Sequence, residues 1–517
     1  MSRQLKIVCL VLIIFAMAVP AVLSPCTHAL AEPEDDATLQ MLDGKRIGVQ
    51  TGTTFDAITK ASLPNATIEY YNSYADLVEA LTSSKIDGFP ADEPVLQMIA
   101  AENPKIKILD DRLEEFDFGV IFPKTDEGSK LKREFDDWIS KAKASGDLEK
   151  MRNEWITNPD EQKTIPDYKS FPAPKGTLTM ATEGAYPPMN YYRDNQLVGL
   201  EVDLAASFCQ DTGYGLELVP MNFDAILPAV QTGKADFAMA GITITEERKE
   251  GVLFSEPYYT GGTVVAILDR SKVGVGATSF FDGIAESFAK TFIRENRWHM
   301  FMEGVGVTLA ITLLSIVLGT LLGFIVFLLC RNGGRISNGI RSACMWLIQG
   351  MPGVVLLMIL YYIVFGSFSI GGVAVSVVGF TLTFGTTVFG LLKMGVGAVD
   401  VGQREAAYAL GYSTRKTFFK IILPQAMPHI VAPYKGEVVN LIKATSIVGY
   451  IAVQDLTKMG DIVRSRTYEA FFPLIAITII YFALEGLLGL LVSRIAITFD
   501  PKRRTKDEIL KGVVTDD

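Results

Sequence analysis

Apolar and polar positions alternate in two regimes along the chain. From Asp43 to Ile267, short β-type runs at 46–49, 67–71, 86–89, 106–109, 118–122, 177–182 and 236–240 predict strands. Between them, apolar residues recur at helical spacing. Leu77, Val78 and Leu81 share one face, Leu200, Leu204, Ala205 and Phe208 another, and Ile226, Leu227 and Val230 precede Gly233, a residue suited to ending a helix. Strands alternating with helices predict an α/β layout. After Gly304 the regime changes: apolar residues dominate to Ile497, with candidate membrane spans at 305–329, 343–365, 370–392, 438–453 (the weakest) and 471–492. Upstream, Phe280, Ile284, Phe288 and Phe292 recur every four residues with Trp298 beyond. They predict a helix that lies on the outer membrane surface or packs on the spans.

Two further segments organise the chain. Arg3 and Lys6, an apolar run from Ile7 to Val19 and Ala29-Leu30-Ala31 before Glu32 predict a secretory signal. Pro159, Pro166, Pro172 and Pro174 make 158–175 a stiff linker. Basic residues cluster after spans one (Arg331, Arg335, Arg341), three (Lys393, Arg404, Arg415, Lys416, Lys420) and five (Arg494, Lys502, Arg503, Arg504). The positive-inside bias then places the segment before span one outside and the C-terminus inside, in agreement with the export signal.

Composition narrows the function. The 517 residues are 49% hydrophobic with mean hydropathy +0.27, so part of the chain belongs in lipid. A net charge of -10 argues against nucleic acid as a partner. The five cysteines lie far apart and there are three histidines, which excludes a disulfide scaffold and structural zinc. No GxxxxGK[ST] phosphate loop occurs.

Ala181-Thr182-Glu183-Gly184-Ala185-Tyr186-Pro187-Pro188, Gly199-Leu200-Glu201-Val202-Asp203, Ala240-Gly241-Ile242-Thr243-Ile244-Thr245-Glu246-Glu247-Arg248 and Phe254-Ser255-Glu256-Pro257-Tyr258-Tyr259 follow one another between 177 and 266. In this order they resemble the first lobe of the polar amino-acid binding proteins of ABC importers. Leu42-Asp43-Gly44-Lys45 through Gly52-Thr53-Thr54, with Ile86-Asp87-Gly88-Phe89-Pro90-Ala91-Asp92, resembles the second lobe, and 118–155 resembles the segment that returns to lobe one. Lobe one precedes lobe two in that family; here the order is reversed. The resemblance implies a circularly permuted domain, or the tail of one such domain followed by the front of another.

Binding an amino-acid zwitterion needs a guanidinium and backbone donors for the carboxylate and a carboxylate for the ammonium. The resemblance assigns Arg248, Thr243 and Gly241 to the carboxylate, with Thr53 as a second-lobe donor. It assigns Asp92 to the ammonium, Tyr186 and Phe223 to an aromatic pair around the side chain, and Glu183 and Gln50 to positions facing that side chain. Each residue alone is more ordinarily core or a solvated charge. Asp87, Asp203 and Asp236 are expected to be structural.

Glu405-Ala406-Ala407-Tyr408-Ala409-Leu410-Gly411, followed by Ile421-Ile422-Leu423-Pro424, resembles the cytoplasmic coupling loop of ABC importer permeases. Gly306-Val307-Thr308-Leu309 and Leu441-Ile442-Lys443-Ala444-Thr445-Ser446 extend the resemblance over 302–494, although Gln349 stands where that subfamily usually has Arg. Glu437 and Lys443 are charges near membrane depth, lining a pathway or anchoring a helix end. The expected fold is thus a two-lobed α/β periplasmic-binding-protein-like domain of type II, circularly permuted, fused to an all-α five-helix ABC importer transmembrane domain. Its divisions are 1–31 (signal), 32–268 (binding domain: lobe two about 42–110, lobe one 116–157 and 176–268, linker 158–175), 269–303 (linker and interfacial helix), 304–499 (permease, coupling loop 400–426) and 500–517 (cytoplasmic tail). The expected function is amino-acid import at a bacterial cytoplasmic membrane, glutamine favoured and a basic amino acid next. Two copies of the chain would pair with two separate ATPase subunits; this chain would carry no cofactor, ATP and Mg being held by the ATPase. A ligand-gated channel or a transmembrane sensor with the same binding fold is the alternative.

Overall fold

The computed structural model describes residues 38–157, 165–269, 285–330, 335–366, 368, 370–467 and 471–497. The expected signal segment and the tail lie outside these residues, as do parts of both linkers.

Fourteen strands are described: β1 (Arg46–Gln50), β2 (Thr67–Tyr71), β3 (Gly88–Asp92), β4 (Ile106–Ile108), β5 (Glu114–Phe118), β6 (Ile121–Phe122), β7 (Thr177–Thr182), β8 (Ala185–Tyr186), β9 (Asn190–Arg193), β10 (Gln196–Val198), β11 (Gly215–Pro220), β12 (Phe237–Ala238), β13 (Leu253–Phe254) and β14 (Tyr259–Leu268). One sheet has the order β2-β1-β3-β14-β4, with β5 also on β14. A second has the order β11-β7-β12-β6-β13, and β10-β9-β8 form a small antiparallel sheet. Each large sheet draws strands from both sides of the Pro-rich segment, so neither sequence half builds a lobe alone.

The chain passes between the large sheets twice. β5 leads through Gly119-Val120 into β6, and β13 leads through Ser255-Glu256-Pro257-Tyr258 into β14. The two crossings are tied together: Ser255 N donates to Val120 O at 2.9 Å and Tyr258 N to Phe118 O at 3.0 Å. This corrects the strand expectations. The run 118–122 is two strands broken at the crossing, and the 86–89 strand is shifted to Gly88–Asp92. β14 and β5, grouped by sequence with lobe one, lie wholly or mainly in the other sheet. β14 runs antiparallel to β3, β4 and β5, all of them distant from it in sequence.

The predicted helix faces are buried. Leu77, Val78, Leu81, Leu200, Leu204, Ala205, Phe208, Ile226 and Val230 all lie in the core, and Gly233 adopts a left-handed φ of +73°. Asp87, Asp203 and Asp236 are structural: Asp87 accepts from Arg46 N at 3.0 Å, Asp203 from Trp155 Nε1 at 2.9 Å and Asp236 from Thr179 N at 2.7 Å.

Among the described residues of the membrane half three helices are long and apolar enough to cross a bilayer: Trp298–Cys330, Gly372–Gly397 and Phe471–Arg494. The second and fourth expected spans are bent pairs. Ser342–Gly350 and Gly353–Val364 meet at 107°, and Thr414–Ile451 and Leu456–Thr467 at 56°. Pro352, at ψ 137°, interrupts the first because it lacks an N–H and holds an extended backbone. The second breaks where Ala452 adopts φ +59°. Helices Trp298–Cys330 and Gly372–Gly397 approach closely through small residues: a Cβ at Gly323 would meet Gly385 O at 2.5 Å. Lys443 pairs with Glu485 at 3.3 Å. Of the expected interfacial helix, Phe292 packs on Phe301 and Phe288 on Phe472, while Phe280 and Ile284 lie outside the described residues.

Candidate binding cleft between the lobes

All nine residues assigned by resemblance to the ligand line one cleft: Gln50, Thr53, Asp92, Glu183, Tyr186, Phe223, Gly241, Thr243 and Arg248, joined by Thr54, Phe55, Tyr74 and Ala240. They reach it from strand ends and helix starts of both lobes. Gln50 ends β1 and Asp92 ends β3, while Glu183 follows β7 and Phe223 opens the helix Phe223–Gln231. The cavity is about 20 Å³, space for a single water, so a larger molecule would fit only with the lobes parted.

Arg248 lies in the first turn of the helix Glu246–Gly251, whose N-cap Thr245 accepts from Arg248 N at 3.2 Å. Its guanidinium bridges the lobes, donating to Thr243 O and to Gly52 O, both at 3.0 Å, and sits 5.8 Å from the Phe223 ring centroid. These neutral carbonyls satisfy the fork only partly; a carboxylate would satisfy it better. Thr53 Oγ1 donates to Gln50 O at 2.7 Å.

The remaining polar groups form two interlobe pairs. Gln50 Nε2 donates to Glu183 Oε1 at 2.7 Å, and the Tyr186 hydroxyl donates to Asp92. The Tyr186 ring stacks on Tyr74 with centroids 5.8 Å apart. Burial pushes Asp92 and Glu183 each up to about 7, against the Tyr186 and Gln50 bonds that favour their ionised forms. A ligand ammonium beside Asp92 would supply the missing counter-charge.

Gly241 holds the cleft's shape. At φ +59° it lies against Tyr186, and its N–H donates to Glu201 Oε1 at 2.6 Å. Glu201 is fully buried and also accepts from Asn190 Nδ2 at 2.6 Å and from Tyr258. Glu201 and Tyr74 are not among the residues that the sequence marks for the site. A carboxylate between Leu200 and Val202 on a buried helix was the available signal for the former; Tyr74 has none beyond its proximity to the Ser73 cap.

The expected coupling segment lies away from the cleft. Glu405, Ala406 and Ala407 belong to the helix Val401–Ala409, whose N-cap Asp400 accepts from Gly402 N at 2.7 Å. Gly411 adopts φ +77° with its N–H on Tyr408 O at 2.9 Å, which ends the helix. Pro424 follows the wider helical turn Phe418–Ile422, within the longer helix Thr414–Ile451. Glu405 and Ala406 are exposed and Ala407 is buried.

The binding domain rests on the membrane half. Lys234 Nζ donates to Phe365 O at 2.6 Å and Phe368 O at 2.8 Å. The charged helix Leu456–Thr467 touches both lobes: Lys458 Nζ donates to Asn222 Oδ1 at 2.5 Å and Arg464 pairs with Asp76 at 2.5 Å.

Residues 178–466 match the sequence profile of bacterial extracellular solute-binding proteins, family 3. A putative glutamine transport system permease protein of Rickettsia bellii (strain RML369-C) is 31% identical over 195 residues, 36% of this chain and 87% of the relative. The arginine transport system permease protein ArtQ of Bacillus subtilis (strain 168) is 31% identical over 192 residues, 36% of this chain and 86% of the relative. A solved amino acid ABC transporter, crystallised with histidines, is 26% identical over 43% of this chain and 99% of its own, with a TM-score of 0.37.

Proposed function

From the premise that this chain belongs to the family-3 bacterial extracellular solute-binding proteins and joins that domain to an amino-acid ABC transporter permease, we propose that it captures a polar amino acid between its lobes and passes it through its own membrane half. The observation that carries the reading is the single cleft in which a guanidinium (Arg248), a carboxylate (Asp92) and the Gln50–Glu183 pair converge. On ligand entry Arg248 would exchange its carbonyl partners for the α-carboxylate, Asp92 would take the ammonium, and the aromatic rings would enclose the side chain. Glutamine fits best: its amide donates to Glu183 and exchanges bonds with Gln50, whereas an aliphatic side chain leaves both unmet at about 1–3 kcal/mol each. A basic amino acid is next.

In this reading the domain is a circular permutant. The opening falls after β14, the old ends are joined through 158–175, and the 118–121 and 254–259 crossings serve as the hinge. The three long helices and two bent pairs act as five spans, with the binding domain outside and the C-terminus inside. Two chains pair with two separate ATPase subunits, which hold ATP and Mg, and 405–411 with Pro424 transmits their closure. Calorimetric titration of the purified full chain with glutamine, arginine and leucine tests the site. Leucine binding as tightly as the polar pair, or no binding by any of the three, would overturn it.

A further inference from the structure

Part of the cleft's electrostatic environment comes from the membrane half. Lys458 lies on the helix Leu456–Thr467, and its Nζ is bonded to Asn222 Oδ1. Asn222 is the N-cap of the helix that begins with Phe223, a lining residue of the cleft, and continues with Asp224. The ammonium is therefore held at the cleft's lip. Its place is fixed by neighbours on both sides: Gln454 Nε2 donates to Pro220 O at 3.1 Å, Asp455 caps the helix start through Lys458 N at 3.0 Å, and Arg464 holds Asp76 of the other lobe. From the lip, Lys458 is within electrostatic reach of Glu183 and Asp224 in the binding domain, and of Asp455 and Asp461 on its own segment.

We propose that Lys458 is a specificity-determining residue of the amino-acid cleft, supplied by the membrane half. While the halves are docked, its charge offsets Glu183 and tilts the side-chain end of the cleft from cationic toward neutral amide ligands. A guanidinium or ammonium placed against Glu183 also faces Lys458, whereas a carboxamide carries no net charge to be repelled. At the intermediate effective dielectric of a partly wet site, a like charge within electrostatic reach is worth on the order of tenfold in affinity. The inference rests on the amino-acid reading above.

The test uses the full chain in lipid nanodiscs, with glutamine and arginine affinities measured calorimetrically for the wild type, Lys458→Gln and Lys458→Arg. Lys458→Gln should move the arginine-to-glutamine ratio about tenfold toward arginine, leaving glutamine affinity within about threefold. Lys458→Arg should keep the wild-type ratio, which a purely structural lysine would not require. An unmoved ratio in Lys458→Gln, or an equal shift in Lys458→Arg, overturns the proposal while leaving the amino-acid site standing. If Lys458→Gln does not fold, Asn222→Ala, which frees the ammonium from the lip, is read for the same shift. Failure of the wild type to bind either amino acid removes the underlying reading and this inference with it.

Discussion

Replacing Gly241 by alanine adds one methyl group at the most confined point of the cleft. A Cβ there would lie 2.4 Å from Tyr186 Cε1 and 2.8 Å from Cζ, well inside contact distance. Neither side has freedom to yield. The Tyr186 ring is 3% exposed, stacked on Tyr74 and bonded to Asp92, while Gly241 is held by its bond to Glu201. A left-handed alanine costs about 1–2 kcal/mol and overpacking a filled site about 1–3 kcal/mol. The sum, about 2–5 kcal/mol, is a cost in stability; the part that reaches the ligand is the overpacking of about 1–3 kcal/mol, which, where the displaced tyrosine leaves Asp92 misplaced, corresponds to a loss in affinity of about 5- to 150-fold. Calorimetry on the purified full chain reads that loss, and a thermal melt without ligand separates it from unfolding. Gly44→Ala is the control: Gly44 has φ +76° but nothing within 4 Å of its Cβ position, so it bears the backbone strain alone and should bind normally. Binding by Gly241→Ala within threefold of wild type would refute the steric reasoning.

Arg248→Ala should cost about 2–5 kcal/mol of binding, because the ligand carboxylate loses its charged partner, and Arg248→Lys should also bind poorly for want of a bidentate fork; equilibrium titration checks both, and near-normal affinity in the alanine variant would remove Arg248 from the site. Affinity should also depend on pH. Asp92 and Glu183 are protonated in the unliganded cleft below their pKa of about 7, while holding an ammonium requires Asp92 ionised. Affinity should therefore be level above pH 7 and fall by about tenfold per pH unit per proton below it. Stability of the unliganded protein runs the other way: with both pKa values raised by burial, the contribution present at low pH is lost as pH rises toward 7. Affinity that stays flat between pH 5 and 8 would refute the assignment of these carboxylates.

Much of the binding domain is legible because its cues are local. Leu77, Val78 and Leu81 mark a buried face by spacing alone, Gly233 and Gly411 mark helix ends, and the Gly241–Arg248 run carries its own turn and cap. What the sequence hides is pairing at a distance. The run from Val264 to Leu268 is plainly apolar, yet nothing near it says that it inserts between β3 and β4. The bend at Pro352 is written in a residue type; the bend at Ala452 is not, since a left-handed alanine exists only because the surrounding fold imposes it. Glu201 and Lys458 are hidden in the sequence for a related reason: an isolated charge acquires meaning only from the groups that the fold brings to it.

The helix Leu456–Thr467 holds Asn222 on one lobe and Asp76 on the other. Parting the lobes separates these two anchors, and a rigid twelve-residue helix cannot follow both. Each opening must therefore break one grip or drag the helix with it. By reciprocity, whatever shifts that helix from the membrane side changes how readily the cleft opens. Affinity for the solute is then not a fixed property of the cleft but a variable of the transport cycle, and a value measured at rest describes only one point on it.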